Sequence, residues 1–320
     1  MTVGTHHWTQ WPLPDLLAAK GDHKVSLVVP ARNEAATVGD VVTRVREALH
    51  ETTRLLDEII VIDSDSTDAT YDVATGAGAQ VFRSAEIRPD LGSYPGKGEA
   101  MWKSLFVTQG DLIVFMDADL HDWDTHFVPG LLGPLLTDPR VQLVKGFYER
   151  PGERGELDGG RVTELVARPL IALHFPQLAD LVQPLAGEWA IRRSAFDSLS
   201  IPTGYAVELA ALVDVSQQHG NASIAQVDLG VRAHRHQSLL DLGGMATQIM
   251  GAAARRTQGV GADDVAAFQR APQRMGDRPI SGRIELAHQA RRAFRLRAGG
   301  RRRTLPSRPT RARSPDASTA

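Results

Sequence analysis

The chain alternates short apolar strands with segments of helical periodicity, and this alternation restricts its fold more than any other feature. The run "KVSLVV" is followed by a polar turn and then by apolar residues at helical spacing: Val38, Val41, Val42, Val45 and Leu49. The segments "DEIIVID", "AQVFRS" and "DLIVFMDAD" predict three further strands, separated by helical patterns. Such alternation is typical of a right-handed, doubly wound α/β sheet with mostly parallel strands and helices on both faces.

The second half of the chain is less regular. The segments "VQLVKGFYER" and "ASIAQVDLGVRAHRHQ" predict strands, the second of which ends in basic residues. Between them, "PGERGELDGG" predicts a mobile loop, and "RVTELVARPLIALHF" predicts a helix that Pro169 kinks or divides.

Composition excludes several classes of protein. The chain has no cysteine, which excludes disulfides and thiolate metal sites and fits a reducing cytoplasm. Its N-terminus, "MTVGTHHWTQWPLPDLLAAK", lacks the basic start and continuous apolar core of a secretory signal. The most apolar later stretch, "LVARPLIALHFPQLADLVQPLAG", is interrupted by three prolines, an arginine and an aspartate, so it cannot span a bilayer. We therefore expect a soluble, cytoplasmic protein without membrane insertion.

The net charge is divided unevenly along the chain. From Gly251 onward there are 16 Arg, no Lys and 5 acidic residues, a charge of +11, while the whole chain carries −2, so the first 250 residues carry −13. We expect a folded domain over residues 1–255 that does not bind nucleic acid. Residues 256–320 are expected to form a helical or low-order, largely disordered arginine-rich tail, either simply solvated or bound to a partner that the sequence does not identify.

Acidic residues follow two of the predicted strands. Asp117 and Asp119 come directly after "LIVFM", and "DSDSTD" follows the strand Ile59 to Ile62, ahead of a helix expected from about Thr67 with Thr67 or Asp68 as its N-cap. A bare Asp-x-Asp also fits a solvated acidic turn. Because ligands of such sheets bind at the carboxyl ends of the strands, a divalent cation with a nucleotide diphosphate is the better interpretation. Four acidic groups in one crevice would repel each other without a cation.

Basic residues offer sites for anions. Gly160, Arg161 and Thr163 begin a helix whose free N–H groups suit phosphate or carboxylate, although the glycine also simply permits a turn. His234 could add an imidazole ligand that tolerates Mn²⁺ as well as Mg²⁺, although most single histidines bind no metal. Lys97 lies at a helix start outside any Walker motif, and Glu208 opens another helix, where it could interact with the helix dipole alone.

Several motifs together resemble a known family. "VSLVVPARNEAATVGDVV", "EIIVIDSDSTDAT", "PGKGEAMWKSL" and "VFMDADL" are similar to nucleotide-sugar glycosyltransferases of the GT-A type. "GRVTELVARPL", "QPLAGEWA", "GYAVELAALVD" and "IAQVDLGVRAHRH" extend the resemblance to the actinobacterial glucosyl-3-phosphoglycerate synthases, from about Leu13 to about Arg255. The resemblance implies a nucleotide-sugar half over about 24–120 and an acceptor half over about 140–255.

The resemblance also implies an activity and a set of site residues. The activity is retaining transfer of glucose from UDP-glucose to the 2-hydroxyl of 3-phosphoglycerate by a homodimeric, Mg²⁺- or Mn²⁺-dependent enzyme. The implied donor-site residues are Pro30, Ala31, Asn33, Glu34, Ser64, Lys97, Asp117, Asp119, Glu208 and Arg232. Of these, Lys97, Asp119, Glu208 and Arg232 have the catalytic roles, and Asp119 and His234 are the metal ligands, with Asp117 in support. The implied acceptor-site residues are Gly160, Arg161, Thr163 and His236.

Two positions depart from the family pattern, and other activities remain open. His236 stands where Asn is usual beside the acceptor, and Trp189 stands where Tyr is usual. The same fold could transfer mannose from GDP-mannose to phosphoglycerate or use a polyprenyl phosphate acceptor. A catalytically silent nucleotide-sugar sensor and a nucleotidyltransferase are alternatives from other classes. The sensor would not need the complete set of Asp117, Asp119, His234 and Arg161, and "PARNEAATVG" lacks the glycine-rich, basic character of a nucleotidyltransferase loop.

Overall fold

The computed structural model describes residues 2–149, 160–232 and 239–257, together with the backbone of three two-residue strands further along the chain. The strands are β1 Gly4–His7, β2 Val25–Ala31, β3 Glu58–Asp63, β4 Gln80–Arg83, β5 Leu112–Phe115, β6 Leu143–Glu149, β7 Trp189–Arg192, β8 Ser200–Ile201, β9 Ile224–Val231, β10 Arg274–Met275, β11 Arg278–Pro279 and β12 Arg291–Arg292. The α-helices are α1 Leu13–Lys20, α2 Val38–Val45, α3 Thr70–Gly76, α4 Lys97–Ser104, α5 Phe127–Thr137, α6 Arg168–His174, α7 Arg193–Phe196, α8 Val207–His219 and α9 Leu239–Arg256. Two segments form π-helix, Arg46–Thr52 after α2 and Thr163–Ala167 before α6.

Eight strands form one sheet in the order β1-β9-β6-β7-β5-β2-β3-β4. All neighbouring pairs in it are parallel except those that involve β7, which runs antiparallel to both β5 and β6. The mostly parallel α/β sheet predicted from the sequence is therefore confirmed. Because β7 is reversed, its amino end lies at the same edge of the sheet as the carboxyl ends of the other strands.

Both faces of the sheet are covered by helices, and the strand residues alternate between two cores. On β5, Ile113 and Phe115 pack into the core that also contains Trp189, while Leu112 and Val114 pack into the core that contains Leu132. All four β5 residues are fully buried. Because β5 is buried on both faces, its sequence is a continuous apolar run and does not alternate between apolar and polar residues.

Local sequence explains where α6 begins, but the start predicted for α3 differs from the observed one. Pro169 lies in the first turn of α6, directly after the π-helical turn, as expected for a residue that cannot continue a regular helix from the preceding turn. The expected start of α3 near Thr67 is wrong, because the helix begins at Thr70 with Ala69 as its N-cap. Thr67 instead donates its N–H to Asn33, and Asp68 accepts bonds from Thr70, so both residues hold the turn that precedes the helix.

Some elements were not predicted from the sequence. β1 is an edge strand of mixed exposure, and β7 has only four residues. Apart from the three short strands, residues beyond 257 lie outside the described part of the chain, so the predicted tail and the domain boundary near 255 stay predictions. The predicted mobile loop over 151–160 also stays a prediction, because only its last residue, Gly160, is described. Within the described residues, no helix is both long enough and apolar enough to cross a bilayer.

Candidate active site

The candidate site lies at the carboxyl edge of the sheet, where the chain leaves β2, β3, β5 and β9. Asp117 and Asp119 follow β5, and Arg232 follows β9. The β5–β7 register pairs Phe115 with Trp189, so the residues just before β7 lie beside Asp117. An ideal Cβ on Gly187 would stand only 2.0 Å from an oxygen of that carboxylate, so a residue with a side chain does not fit there without a shift.

A cavity of about 660 Å³ opens at this edge. This volume lies within the usual range of small-molecule sites. Twelve of the predicted site residues line the cavity: Pro30, Ala31, Glu34, Ser64, Lys97, Asp117, Asp119, Gly160, Arg161, Thr163, Glu208 and Arg232. The structure thus brings most of the proposed donor-site and acceptor-site residues to one cavity.

Lys97 connects two carboxylates at the floor of the cavity. It is the first residue of α4, and its ammonium lies 2.6 Å from Asp117 Oδ1 and 2.7 Å from Glu208 Oε1. Burial disfavours the ammonium, but the two carboxylates outweigh it and raise the pKa of Lys97 well above its ordinary value. Glu208 does lie in the first turn of α8, yet its partner is this ammonium and not the helix dipole alone.

Asp119 differs from Asp117 in its electrostatic surroundings. Burial opposes ionisation of Asp117, but Lys97 and Arg232 outweigh it and hold the pKa of that carboxyl far below its usual range. The pKa of Asp119 is raised, by burial first and then by the negative charge of Asp117. Its nearest cation is Arg232 Nη2, 3.3 Å from Oδ1. Asp119 therefore carries the less compensated negative charge.

This charge pattern fits a divalent cation at Asp119. The Asp117 carboxylate is engaged by Lys97, whereas Asp119 faces the cavity with a raised pKa and no ammonium partner among the described residues. A hard cation there would neutralise the excess charge and would need further oxygen or imidazole ligands. The described residues alone contain no group of three His, Asp or Glu side chains that could hold a metal. His234, the second predicted ligand, lies outside the described residues.

The predicted acceptor residues lie at the start of a helical segment. Gly160 has φ +81°, in the left-handed region that favours glycine, and its carbonyl accepts the N–H of Glu164. Arg161 is exposed and Thr163 is 5% exposed, and both line the cavity. Free N–H groups and a guanidinium at this position suit an anionic ligand. His236, the remaining predicted acceptor residue, lies outside the described residues.

Some predicted polar residues do local structural work. Asn33 is absent from the cavity lining, and its side-chain oxygen accepts the N–H of Thr67. At the end of β3, Asp63 accepts a backbone N–H bond, and Asp68 in the following turn accepts another. Of this segment, only Ser64 lines the cavity. The sequence predicted that four clustered acidic groups would need a bound cation to relieve their repulsion. In the structure, basic side chains of the protein itself pair with the carboxylates of the cavity. Lys97 and Arg232 neutralise most of the charge, and the excess is confined to Asp119.

Several lining residues were missed by the sequence reasoning. Arg32 stands within the quoted motif "PARNE", so its position was available, but its exposed guanidinium was given no role. Tyr205 is 41% exposed, and its N–H donates to Gln248 on α9. Met245 and Ile249 of the same helix also line the cavity. No local pattern in α9 distinguishes a cavity wall from an ordinary buried helix face.

A mostly parallel sheet of this order, with a carboxylate pair after a central strand and the Lys97 ammonium between Asp117 and Glu208, is consistent with the fold and site of a GT-A type glycosyltransferase. The family model for glycosyl transferase family 2 matches residues 26–199. The glucosyl-3-phosphoglycerate synthase of Mycolicibacterium smegmatis is 49% identical over 251 residues, which cover 77% of this chain and 82% of the relative. The chain belongs to glycosyl transferase family 2 and, among its closer relatives, to the glucosyl-3-phosphoglycerate synthases.

Solved structures of a relative agree with this assignment. The glucosyl-3-phosphoglycerate synthase of Mycobacterium tuberculosis, in complex with Mn²⁺, UDP-glucose and phosphoglyceric acid, superposes with a TM-score of 0.73 at 44% identity. The match covers 79% of this chain and 87% of that one. A second structure of the same enzyme holds Mn²⁺, UDP and glucosyl-3-phosphoglycerate, with a TM-score of 0.73, 43% identity and coverage of 80% and 88%.

Proposed function

We propose that the protein is a metal-dependent, retaining glucosyltransferase that moves glucose from UDP-glucose to the 2-hydroxyl of 3-phosphoglycerate. The observation that carries this proposal is the single cavity at the carboxyl edge of the sheet. It joins the Asp119 carboxylate and the Lys97 ion pairs to the anion-binding helix start at Arg161. A bound donor diphosphate and a bound acceptor would therefore meet within one cavity.

The donor nucleotide is assigned to the loop after β2. Pro30, Ala31, Glu34 and Ser64 line this end of the cavity, and Ala31 accepts the N–H of Ser64 through its carbonyl. This bond ties the loop after β2 to the loop after β3, so the two loops present one continuous wall to the uridine. Asn33 contributes indirectly, because it holds the turn that carries Ser64 in place.

Asp119 and His234 are the side chains that would hold Mg²⁺ or Mn²⁺, with Asp117 in support. The bound cation supplies electrostatic stabilisation of the negative charge that develops on the UDP leaving group. Arg232 and Lys97 add positive charge on the protein side, 3.3 Å from Asp119 and 2.6 Å from Asp117 respectively. Glu208 and Arg232 are the residues proposed to hold the glucose.

The acceptor is assigned to Gly160, Arg161 and Thr163. Arg161 and the helix start would bind its phosphate or carboxylate and hold its 2-hydroxyl close to the anomeric carbon. Asp117 and Glu208 are both held in ion pairs with Lys97, and we assign neither carboxylate as a covalent nucleophile. We infer front-face attack, in which the new bond to the acceptor oxygen forms as the bond to the β-phosphate breaks. The hydroxyl proton then passes to the leaving phosphate.

The remaining assignments are proposals of the same kind. We place the reaction in the cytoplasm, in keeping with the absence of cysteine. A donor half over about 24–120 and an acceptor half over about 140–255 would make up the catalytic domain. We also propose a homodimer, because Leu165 and Leu173, both 75% exposed on one helical segment, offer apolar surface that a second copy could cover. Light scattering of the purified protein would test the homodimer.

The proposed reaction is tested by a product assay. Purified protein is incubated with UDP-glucose, 3-phosphoglycerate and Mg²⁺ or Mn²⁺, and the products are identified by mass spectrometry and by NMR of the anomeric centre. We expect α-linked glucosyl-3-phosphoglycerate that disappears with EDTA and in Asp119→Ala. GDP-mannose and a polyprenyl phosphate serve as competing donor and acceptor. Release of UDP and free glucose alone would mean that the acceptor is wrong, and donor binding without turnover would favour the sensor.

A further inference from the structure

Beside the cavity, three buried polar side chains form a connected group, and the proposed reaction gives a role to only one of them, Arg232. Tyr148 lies on β6, Glu188 directly precedes β7, and Arg232 follows β9. Their exposed fractions are 2%, 0% and 4%. A buried carboxylate and guanidinium give little net stability over apolar residues of the same volume, so stability alone is a poor reason for the group.

The guanidinium of Arg232 has two sides with different partners. On its inner side, Nη1 donates to Tyr148 Oη at 2.5 Å and to Glu188 Oε2 at 3.0 Å, and the Tyr148 hydroxyl donates to the same carboxylate oxygen at 2.8 Å. On its cavity side, Nη2 lies 3.5 Å from Asp117 Oδ2 and 3.3 Å from Asp119 Oδ1. The inner contacts are short and the cavity contacts are long. Because the guanidinium is planar and rigid, fixing Nη1 also fixes where Nη2 points.

The position of Glu188 is itself set by the segment before β7. The buried Lys145 ammonium donates to the carbonyl of Ala186 and lies 5.6 Å from the centroid of the Trp189 ring. The carbonyl of Glu188 accepts the N–H of Gly146 at 2.9 Å. Residues 186–189 are thus anchored on both sides of Glu188, and the motif "QPLAGEWA" gains a physical role.

We propose that Glu188, together with Tyr148, is a positioning residue that holds Arg232 back from Asp119. The carboxylates of Glu188, Asp117 and Asp119 compete for this one guanidinium. The hydrogen bonds of Nη1 to Glu188 and Tyr148 keep the guanidinium from moving closer to the two carboxylates of the cavity. Asp119 then stays available to a divalent cation, and Nη2 stays available to the donor. The inference rests on the proposed function for the identity of the donor, but the effect on cation binding does not require the acceptor.

The change that tests this is Glu188→Gln, which keeps the volume and removes the charge. Without the inner anion, Arg232 moves toward Asp117 and Asp119 and pairs with them more tightly. We expect the affinity for Mn²⁺ in the presence of UDP, measured by calorimetry, to fall about 10-fold, and kcat to fall by at least as much. The KM for 3-phosphoglycerate should not change, because the helix start at Arg161 does not contact this group.

Two further variants separate positioning from folding. Tyr148→Phe removes one acceptor from Nη1 without a change of shape, and we expect a smaller loss of Mn²⁺ affinity in the same direction. Gln226→Leu removes the hydrogen bonds of another buried polar side chain, on β9, to Thr5, Asp180 and Val182. None of these contacts involves Arg232, so Mn²⁺ affinity should be unchanged. Thermal unfolding of all three variants reports on folding. Where Glu188→Gln does not fold, the comparison of Tyr148→Phe with Gln226→Leu decides the question.

The outcomes are distinguishable. Unchanged Mn²⁺ affinity in a folded Glu188→Gln, or an equal loss in Gln226→Leu, would overturn the positioning role. A wild-type protein that binds Mn²⁺ and UDP without forming product would contradict the proposed function alone. In that case the calorimetric comparison of the variants would still test the role of Glu188.

Discussion

Asp117 and Asp119 lie two residues apart on one loop, yet they are in opposite electrostatic states. Asp117 is 2.6 Å from the Lys97 ammonium, which together with Arg232 outweighs the effect of burial and holds its pKa far below the usual range. The pKa of Asp119 is raised by burial and by Asp117. The two aspartates thus differ in their partners: Asp117 pairs with both Lys97 and Arg232, whereas Asp119 contacts only Arg232 among the described cations.

We predict that Asp119→Asn abolishes activity but raises the melting temperature of the metal-free protein. A carboxyl whose folded-state pKa is raised destabilises the fold when it is ionised, that is, at pH values above that pKa, so its removal relieves the fold at neutral pH. Addition of Mn²⁺ and UDP should raise the melting temperature of the wild type more than that of the variant. An equal rise in both proteins would mean that Asp119 is not a metal ligand.

Lys97→Met should destabilise the protein as well as inactivate it. The change leaves Asp117 and Glu208 without their shared cation, and loss of one partner from a buried ion pair costs about 3 kcal/mol or more. Urea denaturation measures this change in the free energy of unfolding. Adding Asp117→Asn and Glu208→Gln to Lys97→Met should recover much of the stability and none of the activity. A triple variant no more stable than Lys97→Met would show that the ion pairs do not set its stability.

Arg161→Ala tests the acceptor end of the cavity. Without the guanidinium, the KM for 3-phosphoglycerate should rise about 10-fold or more, while the affinity for UDP-glucose stays unchanged. Arg140→Ala is a suitable control, because Arg140 is an exposed arginine whose side chain pairs only with Asp138 among the described residues. If Arg161→Ala weakened donor binding instead, the acceptor assignment would have to move to another part of the cavity.

Gly187→Ala should disturb the donor site through one methyl group. The added Cβ would overlap the Asp117 carboxylate, which must then shift away from Lys97. We expect weaker UDP-glucose binding and at least a 10-fold loss of kcat/KM, as for other displaced site residues. Gly243→Ala is the matched control, because nothing lies within 4 Å of the added atom on α9. It should leave activity unchanged and stabilise the helix by up to about 1 kcal/mol.

The lowered pKa of the buried Lys145 predicts a specific dependence of the free energy of unfolding on pH. Burial lowers the pKa of its ammonium to about 7, although Glu208 partly opposes this. Between pH 7 and the ordinary lysine pKa, the unfolded chain binds a proton that the folded protein does not bind. Stability from this group is therefore fully present at high pH and is lost as pH falls toward 7, by about 1.4 kcal/mol per pH unit. The difference between the free energies of unfolding of the wild type and Lys145→Met should change with this slope between pH 7 and 9, and parallel curves would contradict the shift.

The sequence was sufficient to predict the strands that have a clear apolar pattern and the polar residues that follow them. The buried runs predicted β2, β3 and β5, and their polar ends predicted where Asp117, Asp119 and Ser64 meet. It could not predict β7, because the four residues Trp189–Arg192 are too few to show an alternating pattern, and the short helix that follows them does not fix the direction of the strand. The reversed direction of that strand is what brings Glu188 behind Arg232. Pairings such as Lys97 with Glu208 depend on side-chain geometry between distant elements, and no spacing along the chain contains that information.

The reversed strand also limits how the enzyme can move. β7 is hydrogen-bonded to β5 on one side and to β6 on the other, so the strands on its two sides belong to one continuous sheet. Hinge bending between two halves would break these backbone bonds, and a jaw-like closure around the substrates is therefore unfavourable. Elements that line the cavity at the sheet edge, such as α9 and the helix start at Arg161, can shift without breaking these strand–strand hydrogen bonds. We expect any conformational change during turnover to involve these elements and not the eight-stranded sheet.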